Sequence, residues 1–198
     1  DWLVAEGRAT RLAAWPCFHT KMYLVNCEGV EVGIVDRTIG GPYAVLVAEQ
    51  LHAAGAKLIV GLTSAGRVAP DVPLPCHVVA TSAIRDEGTS FHYLPPGHSV
   101  DCPTAIAEEL VGALRETQWP VRTGCVWTTD APYRETEQAI HAWRSRGVLA
   151  VEMQAASLFV FGAARQADVA VVARVSNAID HVGEQFDTGT EDDGWLAL

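Results

Sequence analysis

The chain has 198 residues, 49% of them apolar and 19% charged, and its 24 acids and 14 bases give a formal net charge of −10. That length predicts one domain that buries roughly 70% of its unfolded surface, enough for a core without staples. With no Lys/Arg cluster and no apolar run near the ~18 residues of a membrane helix, neither a nucleic-acid groove nor a membrane span is expected.

Cys17, Cys27, Cys76, Cys102 and Cys125 are scattered without a C-x-x-C pair. This is neither a zinc spacing nor a disulfide framework, and it reads as reduced thiols in a cytoplasmic protein. The histidines show no H-x-x-x-H or H-E-x-x-H spacing, so no metal is expected. No secretory signal is visible. The first residue is Asp1, and Trp195-Leu196-Ala197-Leu198 reads as a helix cut short. The expectation is one domain over residues 1–198 that lacks N- and C-terminal segments.

In chain order, Val30–Asp36 reads as a strand, and Gly40-Gly41-Pro42 turns the chain with Pro42 suited to a first helical position. Tyr43–Ala54 has helical apolar spacing, and Gly55 suits the left-handed position just past its end. Lys57–Leu62 reads as a buried strand, completing a βαβ unit. Cys76–Ser82 is strand-like, and Asp101 and Pro103 open a helix toward Thr117. Val121–Thr128 reads as a strand, Glu135–Arg146 as a helix, Val148–Val151 as a strand, Gln154–Gln166 as a helix and Val169–Val175 as a strand. This alternation predicts a three-layer α/β/α fold around a mixed, mostly parallel sheet. Ligands of such folds sit where loops leave the carboxyl ends of strands. That directs attention to Thr38–Tyr43, Thr63–Val68, Ala83–Leu94, Thr128–Arg134, Glu152–Gln154 and Arg174–Asp180.

Each of these segments has two readings. Gly61–Val68 nearly spells a phosphate-binding loop, but Arg67 and Val68 stand where that loop needs Lys and Ser/Thr. It also nearly spells a nucleophile elbow around Ser64 with His181 as base, but Leu62 replaces the first glycine. A Ser/Thr and backbone N–H cradle for an anion or a sugar hydroxyl remains, beside a plain small-residue turn. Arg85–Tyr93 reads as a solvated loop, or as a lined pocket or subunit contact that shelters Phe91, His92 and Tyr93. In Thr128–Arg134, either Asp130 or a Thr caps the next helix, or Tyr133 or Trp127 stacks on a planar ligand. Glu152 ends the apolar run VLAVE, where a carboxylate needs hydrogen bonds. It either caps the following helix or, with Gln154, binds adjacent hydroxyls. Ser176, Asn177 and Asp180 are turn chemistry, or donors to a departing heterocycle.

Together these segments resemble the nucleoside phosphorylase / uridine phosphorylase superfamily, which includes methylthioadenosine nucleosidases. The resemblance runs in order from Phe18 to Asp180. Gly40-Gly41-Pro42 is similar to the G-x-P turn, Ala56-Lys57 through Gly66 to the strand ending in G-[ST]-x-G, and Ile84–Pro95 to the uridine-phosphorylase-like loop. Thr128–Tyr133 is similar to S-x-D-x-F-Y, Val151–Ala156 to V-E-M-E-A-A, and Val175-Ser176-Asn177 to V-S-D.

The resemblance implies cleavage of an N-glycosidic bond, with inorganic phosphate as co-substrate and no other cofactor. It makes Ser64, Glu152 and Asn177 the catalytic candidates. Ser64 holds phosphate or sugar, and Asn177 faces the base. Ile39 and Met153 pack on the ribose, Gln154 binds its hydroxyls, and Ala65, Gly66 and Tyr133 line the base. It further implies a homo-oligomer in which Arg11 or His92 reaches into a neighbouring site. Three positions depart from the pattern. The phosphate-binding Arg is Gly61, with Arg67 or Arg174 as possible substitutes; the second Glu of V-E-M-E is Gln154; and the acid of V-S-D is Asn177. Phosphorolysis is the primary expectation. A phosphate-independent nucleosidase and a nucleoside-binding protein with weakened catalysis are the alternatives.

Overall fold

The computed structural model describes residues 2–17 and 19–179. Asp180, His181 and the terminal 195–198 segment lie outside them, so the roles suggested for those residues have no structural counterpart here.

Two sheets organise the described residues. After a short helix α1 (Trp2–Ala5), strands β1 (Ala9–Arg11), β2 (Met22–Cys27) and β3 (Val30–Val35) form an antiparallel three-stranded sheet. Helix α2 (Gly41–Ala53) then leads into β4 (Leu58–Arg67), with Pro42 in its first turn. Gly55 adopts φ +90° just beyond the helix end, the left-handed turn its sequence position predicts.

The larger sheet continues with β5 (Cys76–Asp86), β6 (Ser99–Asp101), β7 (Val121–Thr129), β8 (Ala150–Glu152) and β9 (Asp168–Ala178). Its order is β6-β5-β7-β8-β4-β9. The long pairings, β4 with β9 and β5 with β7, are parallel. Residues Cys76–Val79 of β5 also pair antiparallel with Val172–Val175 of β9. That pairing closes the sheet into a ring of β5, β7, β8, β4 and β9, which strand–helix alternation alone does not specify.

Helices α3 (Thr104–Arg115), α4 (Glu137–Arg144) and α5 (Ala155–Arg165) complete the mixed α/β architecture. The nearly continuous apolar run of β9 is buried from Val169 to Val175, as expected of a parallel strand covered on both faces. Helix α5 is buried from Ala155 through Gly162 and packs on α2 and the sheet. The approach is close enough that a Cβ at Gly61 would stand 2.8 Å from Leu158 Cδ1. A smaller core joins Val68, Trp127, Ile140, Val148 and Val151 beneath α4. There Thr136 caps α4 by accepting from the Ala139 N–H.

Two expected loops are strands. Thr63–Arg67 continues β4, paired with β9 through a bulge at Ala65/Gly66, and Ala83–Asp86 continues β5. Small and β-branched side chains tolerate the extended backbone, and β9 beside Thr63–Arg67 and β7 beside Ala83–Asp86 supply ladder partners. Ser64 therefore sits within a strand and not on a strand-to-helix elbow, which removes the nucleophile-elbow and phosphate-loop geometries.

Candidate active site

The ends of three strands meet at the bulge in β4. Ser64 is in register with Arg174, and just past the bulge Gly66 is in register with Asn177 on β9 and with Val151 on β8. Register partners project to the same side of a sheet, so the exposed Ser64 and the buried Arg174 are neighbours on one face. A Cβ at Gly66 would collide with Ile179 Cγ2 and stand 3.7 Å from Asn177 Nδ2. Glycine is what lets the Ile179 side chain close over this backbone, with the Asn177 amide alongside.

Gln154 reaches the same region from the turn between β8 and α5. Its side chain is buried and its Nε2 donates to the Leu62 carbonyl at 3.5 Å, two residues before Ser64. The hydrogen bonds of Glu152 fix the backbone here. Its carboxylate accepts from the backbone N–H groups of Gln154 (2.7 Å) and Ala155 (2.9 Å) and from Thr128 Oγ1 (2.6 Å). Thr128 Oγ1 in turn accepts from the Ala156 N–H at 2.9 Å. The first turn of α5 is thus capped by a buried Glu152–Thr128 pair, and of the two readings of Glu152 the structure shows helix capping. Burial pushes its carboxyl up to about 7, against the opposing pull of those hydrogen bonds. Met153, half-buried, lies between this anchor and Gln154.

Arg174 is 2% exposed, and its Cζ lies 5.1 Å from the centroid of the Trp119 ring. On its other side in the ladder is His77, 1% exposed. Burial and the Arg174 charge hold this imidazole below its ordinary titration range. Among the described residues neither ring nitrogen of His77, nor Trp119 Nε1, has a hydrogen-bond partner. Sequence reading missed His77 and Trp119; the available signal was a His at the start of the strand-like run from Cys76 and a Trp two residues before the one from Val121.

The structure therefore brings Ser64, Ala65, Gly66, Met153, Gln154, Arg174 and Asn177 to one end of the sheet. Other expected residues lie elsewhere or face water. Ile39, 73% exposed, is in the β3–α2 turn, and Tyr133, 87% exposed, is in a 3₁₀ turn (Pro132–Arg134). Arg11 belongs to β1 of the smaller sheet.

His92 lines a separate cavity of about 610 Å³, between α2 and the turn at Thr89–His92, shared with Pro42, Leu46, Glu49 and Asp130. Of the three side chains expected to be sheltered there, His92 and Tyr93 line this cavity, whereas Phe91 is 45% exposed and lies against Arg85. Arg85 braces that segment by donating to Ser90 Oγ and to the carbonyls of Ser90, Leu94 and Pro95. Buried Glu87 accepts from Ser157 Oγ at 2.6 Å. The two carboxylates of this cavity are engaged: Glu49 with Tyr93 and Arg165, and Asp130 with the Gly88 N–H. Asp130 thereby ties two loops together and does not cap α4. The strand-end cluster, with its varied donors and acceptors, is the stronger candidate for chemistry.

The sequence matches the description of the phosphorylase superfamily over residues 3–195. It is 30% identical to a guanosine phosphorylase of Halorubrum lacusprofundi over 143 residues, covering 70% of this chain and 58% of that protein. It is 32% identical to a uridine phosphorylase of Treponema pallidum over 151 residues, covering 71% and 58%. The chain thus spans about 58% of the length of these two relatives. A solved uridine phosphorylase from Vibrio fischeri ES114 superposes with a TM-score of 0.78 at 25% identity, over 85% of this chain and 70% of that one. The family match spans nearly the whole chain, and the chain belongs to the phosphorylase superfamily.

Proposed function

We propose that this chain cleaves the N-glycosidic bond of a nucleoside by phosphorolysis, releasing free base and ribose 1-phosphate. A phosphate oxygen attacks C1′ as the C1′–N bond breaks, the bonding pair leaves on the base nitrogen, and a proton joins the departing base. The transition state carries positive charge on the sugar and negative charge on the base. The observation that carries this reading is the convergence of Ser64 and Arg174 with Gln154 and Asn177 at the bulge of β4. Arg174 supplies charge for phosphate, Ser64 a hydroxyl beside it, Gln154 an amide for the ribose hydroxyls, and Asn177 a donor to the base. Glu152 is a positioning group, because its oxygens are taken by α5 and Thr128.

Gly61 marks where the resemblance expects an arginine. It faces α5 with Leu158 and Val171 against it, so that side of β4 has no room for a long cation. This favours Arg174 as the anion-binding group, and it makes hydrolysis by water the second reading. Names of relatives point to both purine and pyrimidine ribosides, and we infer a base of either class, a homo-oligomer and a cytoplasmic setting. Among the described residues no helix is long and apolar enough to cross a membrane.

The test is incubation with a nucleoside panel, with and without phosphate. Ribose 1-phosphate formed only with phosphate supports phosphorolysis. Free ribose formed without phosphate replaces it with the nucleosidase reading, and ligand-induced stabilisation without turnover leaves a binding protein.

A further inference from the structure

We propose that Glu87 is a positioning residue for Gln154: by holding the Ser157 hydroxyl it fixes how α5 is turned about its axis, and so where the Gln154 amide stands. This rests on reading Gln154 as the group that binds the ribose hydroxyls. Glu87 directly follows β5, just before the turn at Thr89–His92, and is 5% exposed. Its carboxylate accepts from Ser157 Oγ at 2.6 Å and from the Ser90 N–H at 3.0 Å, and both serines are fully buried. Among the described residues no cation pairs with it. Arg85, two residues earlier, gives its donors to Ser90, Leu94 and Pro95. A buried carboxylate held by two neutral donors depends on each of them, because losing one leaves it under-solvated.

Ser157 stands three residues after Gln154, the N-cap of α5. At that spacing side chains at a helix start lie over one flank. Glu152 grips the end of α5 through the N–H groups of Gln154 and Ala155, which point along the axis. Bonds on the axis fix where the helix begins but leave it able to roll. The Glu87–Ser157 bond lies on the flank and opposes that roll. With side chains about 5–6 Å from the axis, a roll of about 10° moves the Gln154 amide by roughly 1 Å. A displacement of that size can cost on the order of 10²-fold where a bound group must be met in one geometry.

Packing holds the hydroxyl in place. A Cβ at Gly41, in the first turn of α2, would collide with Ser157 Oγ and stand 2.9 Å from Ser157 Cβ and 3.3 Å from Thr89 Oγ1. Bare α2 backbone therefore packs on Ser157, with Thr89 alongside. The segment that lines the separate cavity is joined through this one hydroxyl to the helix that opens at Gln154.

The test compares matched ribosides and 2′-deoxyribosides on the full chain, on the S157A, E87A, E87Q and Q154A variants, and on the Q154A/S157A double variant. Discrimination between the two sugars is read as the ratio of kcat/KM values and as the ratio of affinities from ligand-induced thermal stabilisation. S157A and E87A are expected to lower discrimination about tenfold, chiefly through the riboside KM. E87Q, whose amide oxygen still accepts from Ser157, is expected to recover to within about threefold of the wild type. S157A added to Q154A is expected to cost no further discrimination, because both act through one amide. S157A, the smaller change, carries the test where E87A does not fold. If Q154A lowers discrimination, then a wild-type ratio in S157A and E87A, equal losses for both sugars, or additive losses in the double variant each overturn the positioning role alone. A wild type that does not favour ribosides, or a Q154A protein that keeps the wild-type ratio, removes Gln154 from the sugar hydroxyls and the positioning role with it.

Discussion

Thr128 and Glu152, 24 residues apart on β7 and β8, form a buried pair in which Thr128 Oγ1 donates to the carboxylate at 2.6 Å and accepts from the first turn of α5 at 2.9 Å. One hydroxyl thus links two strands and a helix behind the strand ends. Thr128→Val keeps the shape and removes the hydroxyl, leaving the Ala156 N–H and one carboxylate oxygen short of a partner. We predict a loss of about 1–3 kcal/mol of stability by denaturant unfolding, with a larger loss for Glu152→Ala. A Thr128→Val protein as stable as the wild type would show that water replaces the hydroxyl there.

Gln154 stands apart from this anchor because its amide has only a 3.5 Å contact to Leu62. Gln154→Ala is expected to lower kcat/KM for ribosides by about tenfold or more and to affect 2′-deoxyribosides far less, with thermal stability nearly kept. Competition assays on matched substrate pairs measure this. Equal losses would remove Gln154 from the sugar hydroxyls.

Asn177 presents its amide beside Gly66. Replacing it by Asp exchanges a donor for an acceptor, or a proton source when the acid is protonated. We predict a changed base preference for Asn177→Asp across the nucleoside panel. A substrate profile identical to the wild type would place Asn177 outside the pocket.

Burial pushes the carboxyls of Glu152 and Glu135 up to about 7 from an ordinary 4.5. In both cases the folded state holds the proton more tightly than the unfolded chain. Their contribution to stability is therefore full below about pH 4.5 and is lost as pH rises through 7. Thermal melts from pH 5 to 8 should show this downward component, on the order of 1–3 kcal/mol. Glu152→Gln should remove the Glu152 part and leave that of Glu135, and an unchanged slope in that variant would assign the effect elsewhere.

Gly61→Arg would restore the residue that the resemblance expects. Because a Cβ there already presses on Leu158 Cδ1 at 2.8 Å, the arginine has to displace α5 or turn out of the sheet. We expect destabilisation of roughly 1–3 kcal/mol and no gain in phosphate affinity. A variant that binds phosphate more tightly would refute the packing argument.

Much of this architecture was legible because its signals are local. Strand and helix periods, Pro42 in a first turn and Gly55 after a helix are consequences of backbone sterics within a few residues, and each reappears in the structure. The order of weak motifs likewise sufficed to identify the family. The sequence could not say that β4 runs on through Ser64, that β5 reaches around to β9, or that Glu152 is spent on a helix end. Most of those outcomes depend on partners distant in sequence, and pairing and burial settle them only once the chain is folded. For the same reason Arg174 entered the reading as one of two candidate cations, beside Arg67. Only tertiary packing set it between Ser64 and His77 with Trp119 across its face, since the cost of burying a guanidinium is set by what surrounds it.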